Sequence, residues 1–290
     1  MVETYLLRIE VYIMELMYIT NNEQIALYAQ SVGVDRIFID LESIGKKERQ
    51  GHLDTVISEH NIEDISIIKK ILDSSKLLVR VNPVNQNSKQ EIKEVIDRGA
   101  DIVMLPMFKT QCEVENFVSY VNKNAKTSLL LETSQALTRI DEILEVEGID
   151  EIHIGLNDLH LSMQLDFMFE LLSGGIVDYL ATKIKSKGIK FGFGGIARMN
   201  TGMLSAELIL SEHYRLGSEM VILSREFHGR SKTLEELKSN INLDLEIKKI
   251  REYQNIYSNY SQDEFKINHM KIKDIVSSIV KNKQKLLMEK

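Results

Sequence analysis

The sequence SVGVDRIFID, residues 31–40, decides the fold. It joins the end of a helical run to a glycine at position 33 and then to an apolar run without alternation. Glycine is favoured just after a helix because it adopts the left-handed conformation without strain. A continuous apolar run is typical of a strand buried on both faces. The same pattern returns at DRGADIVMLP (97–106), EGIDEIHIG (147–155), SKGIKFGFG (186–194) and RLGSEMVIL (215–223).

This helix–glycine–strand unit extends over most of the chain. The predicted strands are Leu16–Thr20, Arg36–Glu42, Leu77–Asn82, Ile102–Met107, Ser128–Thr133, Glu151–Leu156, Lys190–Gly194 and Glu219–Ser224. The predicted helices are Gln24–Val32, Glu63–Leu72, Lys89–Arg98, Glu113–Asn122, Ser134–Val146, Asp178–Lys187, Leu204–Leu216 and Leu234–Leu245.

Eight strands that alternate with helices favour an α/β fold, a closed TIM (β/α)8 barrel of roughly 250 residues. The alternative is an open doubly wound sheet, which carries a glycine-rich turn after its first strand. The corresponding stretch here, MYITNNEQ at residues 17–24, contains no glycine. The barrel is therefore the better prediction.

The pattern changes near residue 246, where the chain becomes polar and contains no further glycine. We predict a catalytic barrel over residues 12–246 and a helical C-terminal extension over residues 247–290. The amphipathic run Ile272–Met288 is expected to pack on the barrel or on a neighbouring subunit. A membrane-surface helix is the alternative, but the lysines of this run are mixed with acidic residues and tryptophan is absent.

Composition excludes several classes of partner. The net charge is −7, and no concentrated basic tract precedes the Lys-rich C-terminal end, so nucleic acid is not an expected partner. A single cysteine allows no intramolecular disulfide. The first 20 residues lack the apolar core of a signal peptide, and no stretch has the roughly 20 apolar residues that span a bilayer. We expect a cytoplasmic protein without a membrane partner.

In a TIM barrel, the active site lies at the carboxyl ends of the strands. The polar or glycine-rich positions at the predicted strand ends are Asp40, Glu42, Arg80, Asn82, Glu132, Asn157, Asp158, His160, the run 192–195 and the run 224–226. Candidate functional residues are therefore sought among them.

Glu132 and Asp158 each follow an apolar run, where an unpaired carboxylate is costly to bury. Carboxylates from neighbouring strand ends can converge on one cation, and an oxygen-rich shell with water and substrate is what Mg²⁺ or Mn²⁺ favours. The structural alternative for Glu132 is an acid that caps the next helix. The alternative for Asp158 is a loop or N-cap acid.

Arg80 lies inside a buried strand and needs an anion there. The anion is either Asp40 or Glu42 in a structural ion pair, or a substrate carboxylate or phosphate held by the guanidinium fork. The sequence leaves both open. The same holds for GFGGIARM, residues 192–199, which either cradles a phosphate with backbone N–H groups or simply turns the chain.

Two histidines can each be interpreted as structural or as functional residues. His160 follows the sixth strand and is either a proton-transfer group or a surface residue. His153 lies between apolar neighbours within that strand and is interpreted as a histidine of the core.

Five motifs then occur in order: VDRIFIDLES (34–43), LLVRVNP (77–83), GADIVMLPM (99–107), LLLET (129–133) and IHIGLNDLHLSM (152–163). Together they resemble the HpcH/HpaI aldolase and citrate lyase β-subunit family, within the phosphoenolpyruvate/pyruvate superfamily. The resemblance covers roughly Leu16 to Arg225.

The resemblance implies roles for four side chains. Glu132 and Asp158 would bind Mg²⁺, Mn²⁺ or another divalent cation. Arg80 would bind the carboxylate or carbonyl oxygen of the substrate and stabilise an enolate. Glu42, in the D-x-E motif, would lie near the metal-bound water or the substrate. The backbone from Gly155 onward, at Leu156 and Asn157, would contact a substrate carboxylate.

The sequence departs from the family at the general base. The pyruvate aldolases carry histidine directly after the D-x-E motif, where this chain has Ser43. The citrate-lyase-like branch has an acidic residue there. The base is therefore unassigned, with His52 and His160 as candidates.

The leading hypothesis is a metal-dependent carbon–carbon lyase of the aldolase type that acts on a 2-oxo or hydroxy acid through a metal-stabilised enolate. Its partner would be a small anionic carboxylate. One alternative is an acyl-coenzyme A thioester lyase of the citrate lyase β or malyl-CoA type. The other is a catalytically silent barrel that binds an anionic metabolite. The resemblance also implies a homo-oligomer, a trimer or a hexamer.

Overall fold

The structure is a computed structural model that describes residues 13–45, 60–229 and 231–288. Eight parallel strands close into a barrel in the order β1 to β8, with β1 paired to β8, which confirms the predicted TIM barrel. The strands are β1 Glu15–Ile19, β2 Arg36–Asp40, β3 Lys76–Arg80, β4 Ile102–Leu105, β5 Lys126–Leu131, β6 Glu151–Ile154, β7 Lys190–Ile196 and β8 Met220–Leu223.

Helices lie between the strands and after the barrel. Those of the described residues are α1 Glu23–Ser31, α2 Ile62–Ile71, α3 Ser88–Asp97, α4 Gln111–Val121, α5 Ser134–Thr138, α6 Ile140–Ile143, α7 Leu156–Ser162, α8 Glu170–Ser173, α9 Ile176–Ser186, α10 Ala206–Leu216, α11 Leu234–Asn240, α12 Leu243–Tyr257 and α13 Gln262–Met288. The repeated glycines behave as predicted, since Gly33, Gly99, Gly148, Gly188 and Gly217 all have positive φ. Four of them follow a helix within two residues, whereas Gly148 lies in a turn between α6 and β6. At all five positions a side chain would be strained.

Side chains alternate across each strand, so one set fills the barrel and the other packs beneath the helices. The buried apolar cluster inside the barrel consists of Met17, Phe38, Leu78, Ile102, Met104, Leu130 and Met220. Below it, at the amino end, Arg36 reaches across the barrel to Glu151, with Nη2 2.9 Å from Oε2. Glu15 also accepts from Arg36. The amino end is therefore closed by apolar packing and a buried ion pair.

Two predicted helices are divided. The prediction Ser134–Val146 is wrong in its continuity, because the backbone of Arg139 leaves the helical region and separates α5 from α6. The prediction Leu234–Leu245 is also divided, because Ile241 is extended and the Asn242 side chain caps a new helix by accepting from Leu245 N at 3.1 Å.

Helix α12 continues to Tyr257, so the predicted boundary between residues 246 and 247 falls inside a continuous helix. The other predicted boundary, at residue 12, lies outside the described residues. The extension packs on α10: Asn268 Nδ2 donates to Ser211 Oγ at 3.0 Å, and His269 Nδ1 lies 3.0 Å from Glu212 Oε2. None of the described helices is long and apolar enough to cross a membrane.

Candidate active site

Arg80 ends β3 at the carboxyl mouth of the barrel and is held there by Asp40, the last residue of β2. Its Nε donates to Asp40 Oδ1 and its Nη2 to Asp40 Oδ2, both at 2.8 Å. The two residues face each other in the strand register, which is why their side chains meet. Such a bidentate pair fixes the plane of the guanidinium. Arg80 therefore forms the ion pair with Asp40 that the sequence allows. Because Nη1 lies outside the paired Nε–Nη2 edge, the guanidinium can also bind a substrate anion.

Glu42 lies two residues beyond β2 and is buried, 4% exposed. Its backbone N–H donates to Asp40 Oδ1 at 3.2 Å, and its Oε2 lies 3.4 Å from Arg80 Nη2. Burial alone would lower the pKa of Arg80, but the charges of Asp40, Glu42 and then Glu132 raise it above its ordinary value. Arg80 is therefore a fixed cation that three carboxylates surround.

Glu132 directly follows β5 and is 3% exposed. Its Oε1 accepts from the backbone N–H of Met107 at 3.1 Å. Met107 has a φ of 55°, an unusual backbone for a non-glycine residue, and local strain of this kind is often found at functional sites. The helix cap predicted as the alternative role of Glu132 belongs to Thr133, whose Oγ1 accepts from Ala136 N at 3.1 Å.

Gly155 and Asp158 follow β6, the next strand of the barrel after β5. A Cβ atom at Gly155 would lie 2.9 Å from Glu132 Cβ and 3.0 Å from Glu132 Oε2. Glycine is therefore required by a close approach, and it places the start of α7 against Glu132. Asp158 lies in the first turn of that helix. The side chain of Leu156 is buried, and that of Asn157 is exposed.

Burial raises the pKa of Glu132 to about 8, and the charges of Asp158 and Glu42 act in the same direction, whereas Arg80 and the Met107 N–H oppose them. Because Gly155 is in close contact with Glu132 and begins the helix whose first turn carries Asp158, the two predicted metal ligands lie at neighbouring strand ends. Without additional positive charge, an ionised Glu132 is unfavourable at this position.

A divalent cation would supply that charge. Both candidate ligands offer carboxylate oxygen, the donor that Mg²⁺ and Mn²⁺ prefer. No cluster of three or more His, Cys, Asp or Glu side chains suited to a metal occurs among the described residues. The donor set therefore fits a cation held by two carboxylates, with water and substrate completing its shell.

The candidates for the base have different environments. His52 lies outside the described residues. His160 Nδ1 lies 3.3 Å from Leu156 O, so this ring bonds within its own helix, α7. Ser43, which stands where the family's histidine would be, donates from Oγ to Asn82 Oδ1 at 3.2 Å. Asn82 thus fixes the backbone after β2 and is occupied with a structural role.

His153 is confirmed as a histidine of the core. It is fully buried, its Nε2 donates to Gly194 O at 2.9 Å, and burial lowers its pKa to about 4.

Sequence reasoning missed two residues of the mouth. Met107 was assigned to the fourth strand, although it turns its N–H towards Glu132 after that strand has ended. His60 was not singled out. Its Nδ1 accepts from the backbone N–H of Asp40 at 3.0 Å, so the neutral ring carries its proton on Nε2. Nothing in the spacing of the sequence links His60 to a strand end 20 residues earlier.

Comparisons with known proteins show the family of this chain. The family model described as HpcH/HpaI aldolase/citrate lyase matches residues 15–168, just over half of the 290 residues. A 2-keto-3-deoxy-L-rhamnonate aldolase from Escherichia coli O17:K52:H18 (strain UMN026 / ExPEC) is 30% identical to the aligned part, which covers 29% of this chain and 42% of that aldolase. The chain thus spans less than half the length of the curated relatives that it matches.

Solved structures share the fold. The HpcH/HpaI aldolase from Desulfitobacterium hafniense DCB-2 superposes with a TM-score of 0.58 at 15% identity, over 73% of this chain and 86% of that one. Citrate synthase SbnG superposes with a TM-score of 0.59 at 17% identity, over 78% of this chain and 93% of that one. At such identities, the likeness concerns the fold alone.

Proposed function

Because the chain belongs to the HpcH/HpaI aldolase/citrate lyase family, we propose that it is a metal-dependent carbon–carbon lyase that acts on a 2-oxo or hydroxy acid through an enolate. Aldolases and lyases make up this family. The 2-keto acid in the name of one relative supports a 2-oxo acid substrate, and the citrate synthase neighbour is compatible with the condensing direction.

One observation carries the proposal: an oriented arginine lies beside buried carboxylates from neighbouring strands. Arg80 is fixed by two 2.8 Å hydrogen bonds to Asp40, and the charges of Arg80 and Asp158 both act on Glu132. Burying so many charges at the mouth costs desolvation free energy, and a barrel without a binding or catalytic function would gain nothing from them.

Glu132 and Asp158 would hold the divalent cation. When bound, such a cation supplies positive charge to the oxygen on which the enolate develops. Arg80 would direct its Nη1 edge at the same carboxylate or carbonyl oxygen, since its Nε–Nη2 edge is used by Asp40. Preorganised charge of this kind stabilises the transition state without reorganisation.

Glu42 would orient bound water or the substrate, since its position is fixed by Asp40 and Arg80. Gly155, Leu156 and Asn157 begin the α7 turn, and their backbone N–H groups would contact the substrate carboxylate. A general base must remove the hydroxyl proton during cleavage. His160 remains a candidate, together with His52.

Exchange of the methyl protons of pyruvate in D₂O tests enolate formation without knowledge of the natural aldehyde. Wild type with Mn²⁺ or Mg²⁺ should catalyse the exchange, and Glu132→Gln should reduce it by about 100-fold or more. Calorimetry should show weaker Mn²⁺ binding by the same variant. Glu147→Gln removes an exposed acid elsewhere and serves as the matched control.

Equal Mn²⁺ affinity in wild type and Glu132→Gln would reject the metal assignment. Metal binding without any pyruvate exchange would favour the thioester lyase, which malyl-coenzyme A cleavage would then detect. Absence of both would favour the silent barrel.

The predicted homo-oligomer, a trimer or a hexamer, is proposed on the same basis. Exposed apolar side chains at the end of α13 support it, since Leu286 and Leu287 are 62% and 60% exposed. Light scattering at several concentrations would measure the assembly directly.

A further inference from the structure

Arg198 follows β7 by two residues, and no described residue forms an ion pair with it. Its Nε is shielded from solvent and makes no hydrogen bond. Within residues 13–45, 60–229 and 231–288, its side chain forms no ion pair with a carboxylate. The buried arginines Arg36 and Arg80, in contrast, each bind a carboxylate through at least two nitrogens. A shielded guanidinium nitrogen without an acceptor is costly, so Arg198 is suited to an anion from outside the chain.

Ser224 directly follows β8, the strand that pairs with β7. Its backbone N–H donates to Ile196 O at 2.9 Å, which fixes it next to the residues that lead to Arg198. Its Oγ is buried and also lacks a hydrogen-bond partner. The ends of these adjacent strands therefore carry a guanidinium nitrogen and a hydroxyl that have no hydrogen-bond partner among the described residues.

Glycines keep the backbone open between these groups. Gly194 has a φ of +53°, and a side chain there would meet Leu156 Cδ1 at 2.8 Å. A Cβ atom on Gly195 would lie 3.5 Å from the Ser224 Cβ. The β7 rim thus borders the start of α7, which carries Asp158, and faces the barrel mouth from the side opposite Arg80.

The loop that carries Arg198 is fixed. The Arg198 carbonyl accepts from Thr201 N at 3.2 Å and from Thr201 Oγ1 at 2.6 Å. Met199 is buried next to it, 4% exposed. The guanidinium is therefore presented by a defined turn.

We infer that Arg198 and Ser224 form an oxyanion subsite that binds a second anionic group of the substrate, a phosphate or a carboxylate distant from the reacting carbons. The loops after strands seven and eight are where TIM barrels commonly bind phosphate. The assignment of the reacting end to the Glu132 side rests on the proposed function. The substrate class becomes a 2-oxo or hydroxy acid with a remote oxyanion, which would stretch from the metal side of the mouth to the β7–β8 rim.

Metal-free protein allows the subsite to be tested alone. Inorganic phosphate and succinate are titrated by calorimetry into wild type, Arg198→Gln and Ser224→Ala. We expect the affinity to fall by about tenfold in Arg198→Gln and by about threefold in Ser224→Ala, as for the loss of a charged and a neutral hydrogen bond. Arg139→Gln, which removes an exposed arginine elsewhere on the mouth, is the matched control and should bind as wild type does.

The stronger of the two probes identifies the source of the oxyanion, a phosphorylated substrate or a dicarboxylate. Equal affinities in wild type, Arg198→Gln and Ser224→Ala would overturn the subsite, and so would the absence of saturable binding in wild type. Thermal unfolding of each variant excludes loss of the fold as the cause.

The failure of this inference is distinguishable from that of the proposed function. Pyruvate has no second anionic group, so its proton exchange by wild type reports on the metal side alone. Exchange without Arg198-dependent anion binding rejects the subsite and leaves the lyase. Arg198-dependent anion binding without exchange rejects the aldolase-type lyase and retains the subsite.

Discussion

The two ends of the barrel hold similar charges in opposite ways. At the amino end, Arg36 binds Glu151 and Glu15, and the set is complete. At the carboxyl end, Arg80 binds Asp40 and Glu42, but Glu132 and Asp158 add two more carboxylates. The amino end is a closed ion network that holds strands together. At the carboxyl end, Glu132 and Asp158 add carboxylate oxygens beyond those that bind Arg80, and such oxygens favour a divalent cation.

The largest effect is expected at the amino end. Arg36→Met would leave Glu151 buried without a partner, which costs about 3–5 kcal/mol of unfolding free energy. The double variant Arg36→Met with Glu151→Leu should recover most of this loss, because the charge that remains, Glu15, is 35% exposed and not fully buried. Urea denaturation measures both.

Arg98 pairs with Glu94 on the surface and gives the control for that experiment. Arg98→Met should cost less than about 1 kcal/mol, as exposed pairs do. A similar loss from Arg36→Met and Arg98→Met would contradict the view that the amino end is a buried, mutually dependent network.

At the carboxyl end, the same kind of substitution should affect activity more than stability. Arg80→Gln is expected to reduce pyruvate proton exchange by about 100- to 1,000-fold, the size of a lost oxyanion donor. Arg80→Lys keeps the charge but loses the bidentate geometry, and it should recover only part of the rate. Deuterium incorporation followed by NMR gives the measurement, and full activity in Arg80→Lys would show that the fork is not needed.

Buried histidines make the stability of the barrel depend on pH. Burial lowers the pKa of His153 and of His228 to about 4. Between about pH 6.5 and pH 4, the unfolded chain binds protons that the folded chain does not. The stability that the two neutral histidines contribute is therefore complete above about pH 6.5 and decreases as the pH falls towards 4. The loss should be about 1.4 kcal/mol per pH unit for each histidine.

His153→Gln isolates one of these contributions, since glutamine can still donate to Gly194 O. Urea denaturation from pH 7 to pH 4 should then show a slope that is shallower by up to one proton. Identical slopes for wild type and His153→Gln would mean that His153 does not titrate between the two states in this range.

Much of the comparison could be predicted from the sequence, because strand ends converge in a barrel whatever their side chains. The repeated unit that begins with the glycine at position 33 and the apolar run after it predicts the barrel. Geometry within the mouth was not predictable in the same way. Asp40 ends β2 and Glu42 follows it, and only the observed register shows that Asp40 binds two nitrogens of Arg80. Met107 reaches Glu132 through a backbone conformation that no sequence pattern indicates.

The smallest effect concerns the contact that brings the two candidate metal ligands together. Gly155→Ala would place a methyl group 2.9 Å from Glu132 Cβ, so either Glu132 or α7 must move by a few tenths of an ångström. The φ of Gly155 is −80°, which alanine accepts, so the fold should be kept. We expect Mn²⁺ to bind about tenfold more weakly, since a shift of this size disturbs the ligand geometry.

Gly188→Ala is the matched control, because its added Cβ would have nothing within 4 Å although its φ is +69°. That variant should lose about 1 kcal/mol of stability from backbone strain and keep its Mn²⁺ affinity. The two glycines therefore separate a requirement of the site from a requirement of the fold. Equal Mn²⁺ affinity in Gly155→Ala and wild type would show that close packing of β6 against Glu132 is only structural, and the carboxyl end would then resemble the amino end more than its charges indicate.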